Sequence, residues 1–128
     1  MPSILIVDDE FGLAEVAGDL LAMAGHTITT AINGKLALAC IHQMRPDLIL
    51  LDVMMPIMSG PELLRVLKTD DAYRDIPVVM MSAVGPDAID PDLRSTLAEF
   101  LHKPFTYDEL MAAVTRSLRS PGNDSPRL

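Results

Sequence analysis

Cysteine is nearly absent from this sequence of 128 residues: Cys40 is the only one, which excludes an internal disulfide framework and a cysteine-rich zinc site. Basic residues are also few: the sequence has ten Lys and Arg and eighteen Asp and Glu, which gives a formal net charge of −8. The electric field of a protein with this negative charge repels phosphate backbones, so we expect no direct nucleic-acid binding. No wholly apolar run approaches the about 20 residues of a membrane span, and residues 1–7 lack the basic and apolar regions of a signal peptide. The composition predicts a small, acidic, cytoplasmic domain without membrane insertion.

The sequence does contain a regular alternation of short apolar runs and helical patterns. Solid apolar runs of this length suit strands that are buried on both faces of a parallel sheet. Apolar stripes, capping residues and stop signals place helices between the runs. The predicted strands are Ile4–Val7, His26–Ala31, Leu48–Leu51, Val78–Met81 and Phe100–Leu101. The predicted helices run from about Leu13 to Ala24, from the cap Asn33 to about Met44, from Ser59 to about Thr69 and from Thr106 to about Leu118.

The segment between the fourth and fifth apolar runs departs from this pattern. A full helix from about residue 85 would hold Pro91 in its interior, which destabilises a helix by about 3 kcal/mol. A short helix that is capped by Asp90, with Pro91 at its first position, avoids this penalty. We therefore predict an atypical fourth helix that starts late or is loosely held.

The order of these elements predicts the fold class. Parallel strands that are joined by right-handed crossovers place helices on both faces of the sheet. We expect an α/β domain of the doubly wound type, with a five-stranded parallel sheet, over residues 1–119. Residues 120–128 are predicted to form a flexible polar tail.

Charged and hydroxyl side chains follow the predicted strands, and active groups in such sheets gather beyond the carboxyl ends of the strands. The side chains at these ends are Asp8, Asp9 and Glu10, then Asp52, Ser82 and Lys103. Carboxylates that meet at one edge repel each other, and Mg²⁺ with several waters relieves this repulsion. The metal and Lys103 would surround one Asp oxygen with positive charge, which suits transfer of a phosphoryl group. Ser82 can donate a hydrogen bond to a phosphoryl oxygen.

Four motifs carry this constellation: ILIVDDE at residues 4–10, PDLILLDVMMP with MSG at residues 46–60, PVVMMSA at residues 77–83 and KPF at residues 103–105. With these motifs the chain resembles the receiver domains of two-component response regulators, of the chemotaxis-regulator type, over about residues 3–118. The resemblance implies a flavodoxin-like sheet with strand order 2-1-3-4-5 and Mg²⁺ as the cofactor. It also implies a sensor histidine kinase or a histidine phosphotransfer protein as the partner.

The resemblance also implies roles in phosphoryl transfer for matching positions. Asp52 corresponds to the phosphoacceptor, and Lys103 and Ser82 correspond to the residues that contact the phosphoryl group. Ser82 and Phe100 correspond to the pair that changes conformation on phosphorylation. The peptide bond between Lys103 and Pro104 is expected to be cis.

The metal ligands follow from the same resemblance. Asp8, Asp9 and Asp52 correspond to the acidic residues that hold Mg²⁺, and the backbone carbonyl of Met54 corresponds to a main-chain ligand. Met54 also weakens one alternative, because phosphatases of the haloacid dehalogenase type carry a second Asp two residues after the phosphorylated one. A flavodoxin-like electron carrier is a further alternative, but acidic residues after the first strand would repel the flavin phosphate.

The predicted function is a phosphorylation-activated receiver in a phosphorelay, which is not a turnover enzyme. It would signal through contacts with an unknown downstream protein, as a monomer or as a phosphorylation-dependent dimer. The ten residues after Leu118 in this sequence are too few to form a DNA-binding or catalytic segment. We therefore expect either a stand-alone receiver or the receiver fragment of a larger response regulator or hybrid kinase.

Overall fold

A computed structural model describes residues 2–119, in which five strands alternate with five helices. The predicted tail, residues 120–128, lies outside the described residues. The strands are β1 (Ser3–Val7), β2 (Thr27–Ala31), β3 (Leu48–Asp52), β4 (Val78–Ser82) and β5 (Glu99–His102). The helices are α1 (Phe11–Met23), α2 (Gly34–Gln43), α3 (Gly60–Lys68), α4 (Pro91–Arg94) and α5 (Tyr107–Leu118). None of these helices combines the length and apolar character that crossing a bilayer requires.

The strands form one parallel sheet in the order β2-β1-β3-β4-β5, which confirms the predicted fold class. All five residues of β3 and all five of β4 are buried, as expected for strands covered on both faces. Successive β3 side chains point to opposite faces of the sheet. Ile49 and Leu51 join the core cluster that contains residues of α2, α3 and α4, whereas Leu48 and Leu50 join the cluster that contains residues of α1 and α5.

Side-chain caps begin α2, α3 and α5 where the sequence places them. The Asn33 side chain accepts a hydrogen bond from the Leu36 amide at the start of α2. Complete capping boxes precede the other two helices, with Ser59 and Glu62 at α3 and Thr106 and Glu109 at α5. These caps satisfy amides that have no partner within the helix, so they fix where each helix begins.

The fourth segment contains the late, short helix that Pro91 predicts. Asp90 is its cap and accepts a hydrogen bond from the Asp92 amide, and a single 3₁₀ turn (Pro86–Ala88) precedes it. The segment is anchored by the buried side chains of Ile89 and Leu93. The Arg94 guanidinium also donates to the Pro86 carbonyl oxygen at 3.0 Å. The proline therefore shortens this helix, while two apolar contacts hold the segment against the core.

The loop between β3 and α3 brings backbone very close to the end of β3. Its Met58 amide donates to the Pro56 carbonyl at 2.7 Å, so Ile57 is the central residue of a γ-turn with a φ of 70°. This left-handed conformation is unfavourable for a β-branched residue. Directly after the loop, the Gly60 amide donates to the Val53 carbonyl at 3.0 Å, which places the first residue of α3 against Asp52 and Val53.

Candidate functional site

The parallel register brings the predicted site residues to one edge of the sheet. Asp52 and Ser82 are the last residues of β3 and β4, and Asp8 and Lys103 directly follow β1 and β5. Two backbone hydrogen bonds extend the sheet beyond these ends: the Asp8 amide donates to the Ala31 carbonyl at 3.0 Å, and the Lys103 amide donates to the Ser82 carbonyl at 2.8 Å. Residues far apart in sequence therefore share one rim because their strands end together.

The Lys103 ammonium is the centre of this rim. It lies 3.1 Å from Asp8 Oδ2, 3.2 Å from Asp52 Oδ1 and 3.0 Å from Glu10 Oε1. Asp8 and Asp52 are buried, with 1% and 4% of their surface exposed, whereas Glu10 lies at the exposed rim. We call the site formed by Asp8, Asp52 and Lys103, with Glu10 at its rim, the acidic pocket. One ammonium faces three carboxylates, so the pocket has an excess of negative charge.

Burial and the surrounding charges together alter the acidity of the two central groups. Burial first and the Asp8 charge second raise the pKa of Asp52 to about 6, against the opposing effect of Lys103. Burial of the Lys103 ammonium acts to lower its pKa, but hydrogen bonds to Glu10 and Asp8 and the nearby carboxylate charges outweigh burial and raise the pKa. The lysine therefore stays charged, and at neutral pH most of Asp52 is ionised despite its burial.

The donor set suits a hard divalent cation. Carboxylate oxygens of Asp8, Glu10 and Asp52 lie within 4.8 Å of one another. Mg²⁺ prefers oxygen ligands and retains several waters, so a pocket with a few converging carboxylates fits it chemically. Asp9 is exposed and does not belong to this converging set, although its charge contributes to the raised pKa of Asp52. The role of Asp9 as a direct ligand stays a prediction.

The remaining predicted residues lie near the pocket with other contacts. The Ser82 side chain is buried, and its hydroxyl accepts a hydrogen bond from the Val84 amide at 3.0 Å. Phe100 is half-buried on β5 and packs against the core cluster that includes Ile89 and Leu93. The Met54 side chain is exposed in the loop after β3. The peptide bond that precedes Pro104 is cis, as the resemblance implies.

Glu10 is the pocket residue to which the sequence analysis assigned no role. Asp8 and Glu10 lie on either side of a bend at Asp9, and their carboxylates both reach the pocket, whereas Asp9 is exposed. The sequence carries no clear signal for this, because the direction of each side chain depends on the conformation of the bend. Asp8 also accepts a hydrogen bond from the Glu10 amide at 2.9 Å, which stabilises this bend.

Comparison with known proteins gives a consistent result. A family model described as the response regulator receiver domain matches residues 4–115. The phosphate regulon transcriptional regulatory protein PhoB of Pseudomonas aeruginosa is 42% identical over 121 residues, which cover 94% of this chain and 53% of PhoB. RpaA of Synechocystis, named a DNA-binding dual master transcriptional regulator, is 37% identical over 121 residues, which cover 93% of this chain and 50% of RpaA. The chain thus spans about half the length of these curated relatives.

Solved structures agree with the sequence relatives. The receiver domain of NtrX from Brucella abortus superposes with a TM-score of 0.83 at 31% identity, covering 91% of this chain and 98% of that one. The receiver domain of a signal transduction histidine kinase from Syntrophus aciditrophicus gives a TM-score of 0.81 at 34% identity, covering 92% and 90%. The fold and the acidic pocket are those of a receiver module of two-component signalling. The chain belongs to the response regulator receiver domain family.

Proposed function

We propose that this chain is a phosphorylation-activated receiver that accepts a phosphoryl group on Asp52. The observation that carries the proposal is the contact of one buried lysine ammonium with the buried carboxylates of Asp8 and Asp52, at 3.1 and 3.2 Å. A cation fixed beside a buried carboxylate can neutralise the charge of an incoming phosphoryl group. The donor would be a phosphohistidine of a sensor histidine kinase or of a histidine phosphotransfer protein.

The proposed transfer uses the groups of the pocket in defined roles. A carboxylate oxygen of Asp52 attacks phosphorus, the phosphorus–nitrogen bond to the donor histidine breaks, and the imidazole nitrogen keeps the electron pair. Lys103 binds one phosphoryl oxygen, and Ser82 donates to another after it leaves the Val84 amide. Phe100 would move when Ser82 moves, and this would change the surface that the β5 side of the domain offers to a partner protein.

Mg²⁺ would be held by Asp8, Asp9, Asp52 and the backbone carbonyl of Met54. When bound, it neutralises the developing negative charge on the phosphoryl oxygens. Asp8 and Asp52 meet its preference for oxygen ligands and are already within reach of one another. Burial first, and the Asp8 charge second, raise the pKa of Asp52, and a divalent cation would relieve the effect of that charge.

The downstream action is proposed to be regulatory, through protein contacts, without turnover of a substrate. With its net charge of −8 this chain is not expected to contact DNA itself, although its curated relatives of about twice its length include regulators named DNA-binding. A receiver fragment of a larger regulator or of a hybrid kinase is therefore the alternative to a stand-alone receiver. Monomer and phosphorylation-dependent dimer both stay predictions, as does the cytoplasmic location.

Labelling the purified chain with radioactive acetyl phosphate, and then with candidate phosphorylated kinases, tests the proposal. Wild type should incorporate label only with Mg²⁺, and Asp52→Asn should incorporate none. Asp71→Asn is a matched control, because Asp71 lies in the loop before β4, with its side chain 90% exposed and paired with Arg74. It should label as wild type does. Label that survives in Asp52→Asn would move the acceptor to another residue.

A further inference from the structure

The three carboxylates around the Lys103 ammonium differ sharply in their surroundings. A lysine ammonium has three N–H donors, and here Asp8, Glu10 and Asp52 each lie within 3.2 Å of the nitrogen. The side chains of Asp8 and Asp52 are 1% and 6% exposed, whereas that of Glu10 is 64% exposed. Glu10 can therefore exchange its contact with the lysine for water, whereas the two buried carboxylates would keep a negative charge with neither water nor a cation to compensate it.

A phosphoryl group on Asp52 would need one of these three donors. The ammonium donates hydrogen bonds to Asp8 Oδ2 at 3.1 Å and to Glu10 Oε1 at 3.0 Å, and it forms an ion pair with Asp52 Oδ1 at 3.2 Å. A phosphoryl group on Asp52 would take over the Asp52 contact and would bring more acceptor oxygens and more negative charge than the carboxylate alone, so its oxygens would compete with the exposed Glu10 for a second donor. We propose that Glu10 is a built-in competitor of the phosphoryl group: its carboxylate engages the Lys103 ammonium in the resting protein and moves into solvent when the group arrives. This inference rests on the proposed function, since it requires a phosphoryl group at Asp52.

Within the part of the chain that the structure describes, Lys103 is the one residue to which the Glu10 side chain forms a hydrogen bond or ion pair. Glu10 is the residue before α1, but its side chain makes no capping hydrogen bond. The hydrogen bond of its amide to Asp8 Oδ1, at 2.9 Å, belongs to the backbone and does not depend on the side chain. The contact of Glu10 Oε1 with Lys103 instead joins residues 93 positions apart. Changing this side chain should therefore release the lysine without unfolding α1.

Two variants separate competition from a simple effect of charge. Glu10→Ala removes the carboxylate, whereas Glu10→Asp keeps the charge but shortens the side chain by one methylene, so that it no longer reaches the ammonium. Beryllofluoride with saturating Mg²⁺ serves as the probe, because it mimics the phosphoryl group on a carboxylate. Its affinity is measured by isothermal titration calorimetry on the full chain, and urea unfolding checks that both variants fold as wild type does.

Competition predicts that both variants bind beryllofluoride about two- to fivefold more tightly than wild type, the range expected for loss of one exposed ion pair. Tighter binding by Glu10→Ala alone would show a charge effect and overturn the inference. Weaker binding by both variants would make Glu10 a residue that positions the lysine or the metal, and would also overturn it. If wild type binds the probe and the variants bind it equally, only this inference is overturned. If wild type itself does not bind, the proposed function is overturned with it.

Discussion

The close approach of Gly60 to the end of β3 gives the sharpest stability prediction. A Cβ atom at Gly60 would overlap the carbonyl oxygen of Asp52 and would lie 3.0 Å from the Asp52 carbonyl carbon and from Val53 Cα. These are backbone atoms, so no change of rotamer can relieve the contact. Overpacking of this kind costs about 1–3 kcal/mol, and the helix preference of alanine returns at most about 1 kcal/mol. We expect Gly60→Ala to lower the free energy of unfolding by about 1–2 kcal/mol.

Urea unfolding of Gly60→Ala beside a second glycine variant measures this effect. Gly12→Ala is the matched control, because Gly12 lies in α1 and its added Cβ would meet no atom within 4 Å. Gly12 is the second residue of α1, where the helix preference of alanine counts less than in a helix interior, so the control should stay within about 0.5 kcal/mol of wild type. Folded Gly60→Ala should also bind beryllofluoride more weakly, since the clash displaces the backbone of Asp52. A Gly60→Ala protein as stable as Gly12→Ala would refute the steric argument.

Three further perturbations test the loop, the acidic pocket and its surroundings. Ile57→Asn should raise the free energy of unfolding by about 1 kcal/mol, because Ile57 has a φ of 70° and an exposed side chain; urea unfolding without such a gain would contradict this. The pKa of Asp52 is raised from 3.8 to about 6, so the folded protein binds this proton more tightly than the unfolded chain and ionised Asp52 destabilises it above pH 6. Asp52→Asn should therefore add up to about 3 kcal/mol at pH 7 without Mg²⁺, and this advantage should shrink as the pH falls through 6 towards 4; equal unfolding curves at pH 7 would rule this out. Met54 and Val84, which cannot hydrogen-bond an attacking water, predict loss of the phosphoryl group over minutes or longer after acetyl phosphate labelling. A lifetime of seconds would refute that prediction, and Met54→Asn should shorten the lifetime.

Apolar runs and capping residues allowed most of the fold to be predicted, because each depends on local chemistry. The runs at Leu48–Leu51 and Val78–Met81 lie within β3 and β4, and Pro91 correctly predicted the late start of α4. The anchoring of that segment by Arg94 was not predictable, since a guanidinium on a short helix gives no signal of the carbonyl it will reach. The γ-turn at Ile57 was likewise hidden, because isoleucine is among the residues least suited to a left-handed conformation.

The candidate site was predictable in its residue types and less so in its contacts. Asp8, Asp52 and Lys103 meet because parallel strands end at a common edge, which follows from topology. The contact of Glu10 with the lysine depends on the conformation of the bend at Asp9, which the sequence does not specify. The burial that raises the pKa of Asp52 requires the packed structure.

Because the side chains of β3 alternate between the two core clusters, both clusters depend on this one strand. Ile49 and Leu51 support one layer of helices, and Leu48 and Leu50 support the other. Because β3 packs in both core clusters, a displacement of its end, where Asp52 lies, would disturb the packing of both layers of helices. Substitutions in β3 that are designed to repack one core cluster would therefore also disturb the other cluster and the position of the Asp52 carboxylate at the end of the strand.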